Sequence, residues 1–111
     1  MGYLFYGNNA ELIEIPDRLL AHLRLVVSTK LRRSESFMFS WRHPDAASAR
    51  STIWLQPAIP LRFVFHSDAE IIDPTALRAL ADAANSSKGL VVDLNMLDDP
   101  ASSKERATQA A

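Results

Sequence analysis

The sequence predicts a single α+β domain of two layers, in which a mainly antiparallel sheet carries two helices on one face. Three observations predict it. The stretch from Pro16 to Arg33 has the apolar spacing of an amphipathic helix, and a second helical pattern begins after Asp73-Pro74. Six shorter segments alternate or run apolar as strands do. Taken in chain order, these segments predict the arrangement ββαβββαβ.

A β-hairpin is predicted at the start of the chain. Residues 2–6 and 10–15 alternate in polarity on either side of Gly7-Asn8-Asn9, residue types that tolerate positive φ. In the helix that follows, Asp17 is expected to cap the first turn by accepting backbone N–H groups. The apolar residues of this helix fall on one stripe, which consists of Leu19, Leu20, Leu23, Val26, Val27 and Leu31.

The middle of the chain predicts three consecutive antiparallel strands, a meander. The segments 37–42, 50–56 and 61–67 alternate in polarity, separated by a polar loop at 43–49 and by a turn containing Pro57 and Pro60. Alternation predicts that the aromatic residues of the first and third segments, namely Phe37, Phe39, Trp41, Phe63 and Phe65, face the core.

Trp54 is predicted to point away from the core, unlike the other strand aromatics. It shares a side of its strand with Thr52 and Gln56, whereas Ile53 and Leu55 lie on the other side. We therefore predict that Trp54 faces solvent or a partner.

The last third of the chain predicts a helix and a final strand. Asp73 is expected to cap the helix and Pro74 to occupy its first position, where a missing N–H is harmless. Gly89 is available for a left-handed cap at the helix end, and residues 90–94 form a continuous apolar strand. We expect one domain over residues 1–97 and a flexible tail over 98–111, which lacks apolar periodicity.

Composition narrows the function classes. With 111 residues, 48% of them hydrophobic, the chain can bury one core. It has no cysteine, which excludes disulfides, thiolate zinc sites and cysteine nucleophiles. His22, His43 and His66 lack the spacing of metal ligands, so we expect no metal and no cofactor.

No membrane segment is expected. The first residues lack the positive charges of a signal peptide, and no apolar run approaches the roughly 20 residues of a spanning helix. These features predict a cytoplasmic protein that does not engage a membrane.

Charge is unevenly distributed along the chain. The net charge is −3 over residues 1–17, +6 over 18–62 and −4 over 63–111. A basic middle between acidic ends indicates either a surface for a polyanion such as nucleic acid, or pairing between segments that meet in the fold.

Arginines alternate with aromatic residues on the predicted strands, a pattern that in several modules stacks unpaired bases and contacts phosphates. Arg62 and His66 are expected on the side opposite Phe63 and Phe65, sharing an open face with Trp54. An ordinary solvated sheet face is the alternative. The candidate residues for binding nucleic acid or a protein partner are Lys30, Arg32, Arg33, Arg42, Arg50, Trp54, Arg62 and His66.

Four segments carry a resemblance to a known family. They read GYLFYG, DRLLAHLRLVVSTKLRRSESFMFSW, STIWLQPAIPLRFVF and ANSSKGL, and together they span roughly residues 1–94. In them the chain resembles a family of small actinobacterial proteins of about this length, which are frequently labelled ATP-dependent DNA ligase and otherwise described as of unknown function. The resemblance implies a DNA-associated role for the basic residues, among them Lys30, Arg32 and Arg33.

Catalytic signatures are missing from the sequence. A nucleotidyltransferase needs a lysine nucleophile in a KxDG-type motif, whereas Lys30, Lys88 and Lys104 are followed by Leu31, Gly89 and Glu105. We therefore predict no enzyme. The first hypothesis is a small nucleic-acid-associated binding module, and the second is a protein-interaction or homo-oligomeric module. A ligase-related activity is the third.

Overall fold

Six strands and two helices make up the part of the chain that the computed structural model describes, which is residues 1–8, 11–42, 50–66, 71–94 and 96–97. They follow one another as β1 (Gly2–Tyr6), β2 (Glu11–Ile15), α1 (Asp17–Arg32), β3 (Phe37–Arg42), β4 (Arg50–Leu55), β5 (Leu61–Val64), α2 (Pro74–Ala84) and β6 (Leu90–Asp93). This order confirms the predicted α+β arrangement ββαβββαβ. The predicted loop at 43–49 and the predicted tail at 98–111 lie outside the described residues.

The strands form two three-stranded sheets. The first sheet has the order β2-β1-β5, and β1 is antiparallel to both neighbours. The second sheet has the order β4-β3-β6, with β4 antiparallel and β6 parallel to β3. A parallel neighbour requires a crossover connection. Helix α2 lies in that connection and packs on both β3 and β6.

The predicted meander is wrong at its third strand. β4 pairs with β3 as expected, but β5 belongs to the first sheet. It pairs with β1, where Tyr6 lies opposite Leu61 and Tyr3 opposite Val64. Pro60 stands at this junction, and its carbonyl accepts the N–H of Gly7 at 3.0 Å. Alternation defines the two faces of a strand but not its neighbour, so the sequence pattern left this pairing undetermined.

The core lies between the helices and the two sheets. α1 packs on β1, α2 packs on β3 and β6, and the helices contact each other. The predicted stripe of α1 is buried, except that Leu31 is only half-buried. Phe37, Phe39 and Trp41 are buried as predicted, whereas Phe63 and Phe65 are half-buried at the edge of the core.

Asp17 does not cap α1. The cap position is Pro16, which has no side chain able to accept a hydrogen bond, and Asp17 is the first residue inside the helix. Its buried carboxylate instead accepts the backbone N–H of His66, with Oδ2 at 2.9 Å from the nitrogen. This bond connects the segment just after β5 to the start of α1.

The sequence prediction is correct for the start of α2 and wrong for its end. Asp73 caps the helix as expected, because its Oδ1 accepts the N–H of Thr75 at 3.0 Å. The helix ends with Asn85 as its cap in a right-handed conformation, so Gly89 does not cap it. Gly89 has φ of +76° where the chain enters β6, and a β-carbon there would lie 2.6 Å from the carbonyl oxygen of Met38. It permits close approach to β3 rather than ending a helix.

Candidate functional site

Three cross-strand pairs lie side by side on the second sheet, on the side opposite the core. Since Phe37, Phe39 and Trp41 point inward, the intervening residues of β3 point outward, and each lies directly opposite an outward residue of β4. We call this surface the outer strip. Its pairs are Met38 with Trp54, Ser40 with Thr52, and Arg42 with Arg50.

The first pair makes one end of the outer strip apolar. Trp54 is 46% exposed and Met38 is 41% exposed. The exposure of Trp54 confirms the prediction from strand parity, since Leu55 beside it is fully buried. Exposed large apolar groups of this kind are typical of contact surfaces when they adjoin one another.

The middle pair is joined by a hydrogen bond. The hydroxyl oxygens of Ser40 and Thr52 lie 2.7 Å apart. Ser40 is buried although it is on the outer side, whereas Thr52 is exposed. This bond holds β3 and β4 in register beneath the strip.

The third pair makes the other end cationic. Arg42 and Arg50 are both exposed and directly opposite one another, an arrangement of like charges that destabilises a ladder. No carboxylate among the described residues lies within 4.0 Å of either guanidinium. Asp93 of β6 is the register neighbour of Arg42 on the other side of β3. The row therefore holds two arginines and one aspartate, an excess of one positive charge.

Lys30, a candidate binding residue, is engaged in contacts within the domain. Its Nζ lies 2.8 Å from Glu35 Oε2, donates to Asn85 Oδ1 at 2.8 Å, and lies 5.5 Å from the centroid of the Phe37 ring. The hydrogen bond from Lys30 lowers the pKa of the Glu35 carboxyl below its usual value. Lys30 therefore joins the end of α1 to the end of α2 and the start of β3.

Two further candidate residues lie at the same end of α1, Arg32 in its last turn and Arg33 at its cap position. Arg32 and Arg33 are exposed. Arg33 and Lys30 line a cleft of about 250 Å³ between the two helices, whose other lining residues are Leu25, Val26, Thr29, Leu77, Ala81 and Asn85. Its lining is mainly apolar, and its two cations lie in the last turn of α1 and at the cap of that helix.

Arg62 and His66 occupy a different surface, on the outer side of the first sheet. The Arg62 guanidinium lies 5.2 Å from the centroid of the Phe5 ring, and the His66 and Tyr3 rings are 5.6 Å apart. The expectation that they share a face with Trp54 is wrong, because β5 joined β1. Tyr3 and Phe5 are not among the candidate residues predicted from the sequence, although their alternation with the buried Leu4 indicates an outward position.

The eight candidate residues thus fall in three places. The outer strip brings together Arg42, Arg50 and Trp54, and the first sheet carries Arg62 and His66. The C-terminal end of α1 carries Lys30, Arg32 and Arg33.

His22 is a packed core residue. It is fully buried and both ring nitrogens have backbone partners. In the described part of the chain, no three side chains of the metal-ligating types come together. No helix there combines the length and apolar character needed to cross a bilayer.

The sequence of the chain matches one protein family. Residues 1–95 match the family described as Domain of unknown function (DUF7882), which covers every strand and helix described above. No curated protein and no solved structure is similar enough to the chain to count as a match. The chain belongs to the DUF7882 family, a domain of unknown function.

Proposed function

We propose that this chain is a small non-enzymatic module that binds single-stranded nucleic acid along the outer strip. The observation that carries the proposal is the placement of Arg42 directly opposite Arg50, on the same face as the exposed Trp54. Phosphates and bases are the two kinds of group that such a face recognises.

The arginine pair supports phosphate binding. Two guanidinium groups held opposite one another repel, and an anion between them removes the repulsion. Each guanidinium presents a planar fork of donors that matches phosphate oxygens in a bidentate manner. The neighbouring Asp93 reduces the local positive charge, so we expect modest affinity rather than tight binding.

The tryptophan supports base stacking. Trp54 is four residues from Arg50 on the same side of β4, which places the two about 13 Å apart along the strand. A nucleic acid lying along β4 can therefore contact both residues. Stacking of one base on an aromatic side chain contributes about 1–3 kcal/mol and does not depend on sequence.

Ligation is a weaker candidate. A lysine that is to become adenylated has to present a free amine to the nucleotide before the reaction. The amine of Lys30 is held by Glu35 and Asn85, and Lys88 lies in the exposed turn before β6. Neither arrangement favours a nucleotidyltransferase.

The test measures binding of a fluorescent oligothymidylate of about 10 nucleotides by anisotropy, between about 50 and 200 mM salt. We expect the logarithm of the association constant to fall linearly with the logarithm of salt concentration. Each phosphate contact on a single strand contributes about 0.7 to the slope, so the double substitution Arg42→Ala/Arg50→Ala should reduce the slope by about 1.4. Trp54→Ala should weaken binding about tenfold at every salt concentration.

A matched control removes two exposed arginines from the helices. Arg24→Ala/Arg78→Ala changes the net charge by the same amount but leaves the outer strip intact. Its salt slope should equal that of the unsubstituted chain. Binding that does not respond to salt, or an equal loss in both double variants, excludes the outer strip as the nucleic-acid surface.

A further inference from the structure

The outer side of the first sheet presents a second surface, which the proposed function does not use. We infer that this surface packs against the same surface of a second copy of the chain, forming a two-fold symmetric dimer. We call it the dimer face, and it comprises Tyr3, Phe5, Leu12, Glu14, Arg62 and Val64.

The centre of the dimer face is apolar. Register places Leu12, Phe5 and Arg62 in one row across the three strands. The next row contains Tyr3 and Val64, which like Phe5 are half-buried, while Leu12 at the edge is 50% exposed. The Tyr3 and Phe5 rings lie side by side, with centroids 6.4 Å apart. Adjoining apolar side chains on an outer sheet face indicate an interaction surface.

Charges of opposite sign lie at the two edges of this face. Glu14 is on β2 and Arg62 is on β5, with β1 between them, so about 10 Å of sheet separates the two strands. Both side chains are exposed, and neither has an ion-pair partner within 4.0 Å among the described residues. The Arg62 guanidinium lies over the Phe5 ring, which restricts its freedom before any partner binds.

Two-fold symmetry brings these charges together. When two copies stack face to face about an axis parallel to the strands, β2 of each copy lies over β5 of the other. Glu14 of one copy then lies over Val64 of the other, one row of about 7 Å along the strand from Arg62 of that copy. Two long side chains can span this offset, and the same contact occurs twice. The apolar rows meet between these two ion pairs. The face is therefore complementary to itself, as a symmetric dimer requires.

The size of the face determines the strength expected. Three strands of about five residues cover a flat area of about 15 by 16 Å. This flat area of about 240 Å² per copy is well below the roughly 800 Å² per partner of a standard interface, so we expect a weak, reversible dimer with a dissociation constant in the high micromolar range or weaker.

Sedimentation equilibrium of the full chain tests the inference, at concentrations from about micromolar to about millimolar. We expect the average mass to rise from monomer to dimer over this range. Glu14→Arg alone and Arg62→Glu alone should each weaken the dimer at least about tenfold, because each places two like charges in contact twice. The double variant Glu14→Arg/Arg62→Glu should restore dimerisation, since it exchanges the charges and keeps them complementary.

Arg42→Glu, on the outer strip, is the matched control and should dimerise as the unsubstituted chain does. Circular dichroism checks that each variant is folded. A monomer at every concentration overturns the inference, and so does a dimer that the single substitutions leave unchanged or that the double variant does not restore. The proposal of nucleic-acid binding is tested separately, through Arg42, Arg50 and Trp54 on the other sheet, so either proposal can be wrong without the other.

Discussion

Nε2 of His22 accepts the backbone N–H of Asp73 at 2.9 Å, so one buried imidazole joins the first half of α1 to the cap of α2. The other ring nitrogen, Nδ1, lies 2.7 Å from the carbonyl oxygen of Arg18. Because a carbonyl can only accept and a backbone N–H can only donate, Nδ1 carries the proton and Nε2 is the acceptor. Neither nitrogen is free for another role, which explains why this histidine belongs to the core.

Replacing His22 should separate the loss of this bond from the loss of volume. His22→Leu fills most of the space but leaves the Asp73 N–H buried without an acceptor, which costs about 1–3 kcal/mol. His22→Gln can still offer an amide oxygen to that N–H, so we expect a smaller loss. Urea denaturation gives the free energy of unfolding of each variant. Equal stability of the leucine variant and the unsubstituted chain would show that the bond contributes nothing.

Two glycines with the same backbone conformation should respond differently to alanine. Gly7 has φ of +78° with no atom within 4 Å of an added β-carbon, whereas Gly89 has φ of +76° and meets the Met38 carbonyl at 2.6 Å. Gly7→Ala should cost only the left-handed conformation, about 1–2 kcal/mol. Gly89→Ala must also displace β3, which adds about 1–3 kcal/mol. Thermal denaturation compares the two, and equal losses would contradict close contact at Gly89.

The aromatic residues of the second sheet should divide into two classes. Phe39 is 1% exposed, so Phe39→Ala should destabilise the fold by about 3–5 kcal/mol. Trp54→Ala should cost about 1 kcal/mol or less, because its side chain is exposed and its carbonyl still accepts the hydroxyl of Tyr6 at 2.7 Å. Chemical denaturation measures both values. A loss at Trp54 as large as that at Phe39 would place the indole in the core and remove it from the proposed surface.

The ion pair between Lys30 and Glu35 should make stability depend on pH in acid. The hydrogen bond from Lys30 holds the pKa of Glu35 below its usual value of 4.5, so the folded chain favours the ionised carboxylate. The contribution is fully present above pH 4.5 and is lost as the pH falls through the lower folded value. Glu35→Gln should therefore be slightly less stable than the unsubstituted chain at neutral pH and should match it in strong acid.

The source of this pH effect is tested by a second substitution. In a Lys30→Met background, Lys30 no longer lowers the pKa of Glu35 and only the smaller effect of Arg33 remains. Glu35→Gln should therefore change the stability difference between neutral and acid pH much less than it does in the unsubstituted chain. Denaturation curves at several pH values, for the unsubstituted chain, the two single variants and the double variant, give the coupling. A pH effect of undiminished size without Lys30 would contradict its role as the main cause.

Much of the candidate surface could be predicted from sequence, because strand parity is local. Met38 and Arg42 alternate with Phe37 and Phe39, and this decides which side of β3 is outward before any neighbour is known. The exposure of Trp54 follows from the same rule. Strand parity does not indicate which strands are neighbours. The prediction that Arg62 lies near Trp54 was wrong for that reason.

By itself the sequence determined the elements of this protein, their order and the buried side of α1 and β3, since helical and strand periods are set by backbone geometry over a few residues. Only the tertiary structure decided that β5 joins β1, that Asp17 bonds to His66 and that Lys30 is held by Glu35 and Asn85. Asp17 and His66 are 49 positions apart in the sequence, and Lys30 and Asn85 are 55 positions apart. Such long-range pairings depend on the total surface that the chain buries when all the strands are assembled. The pattern of a short sequence segment contains no information about that total.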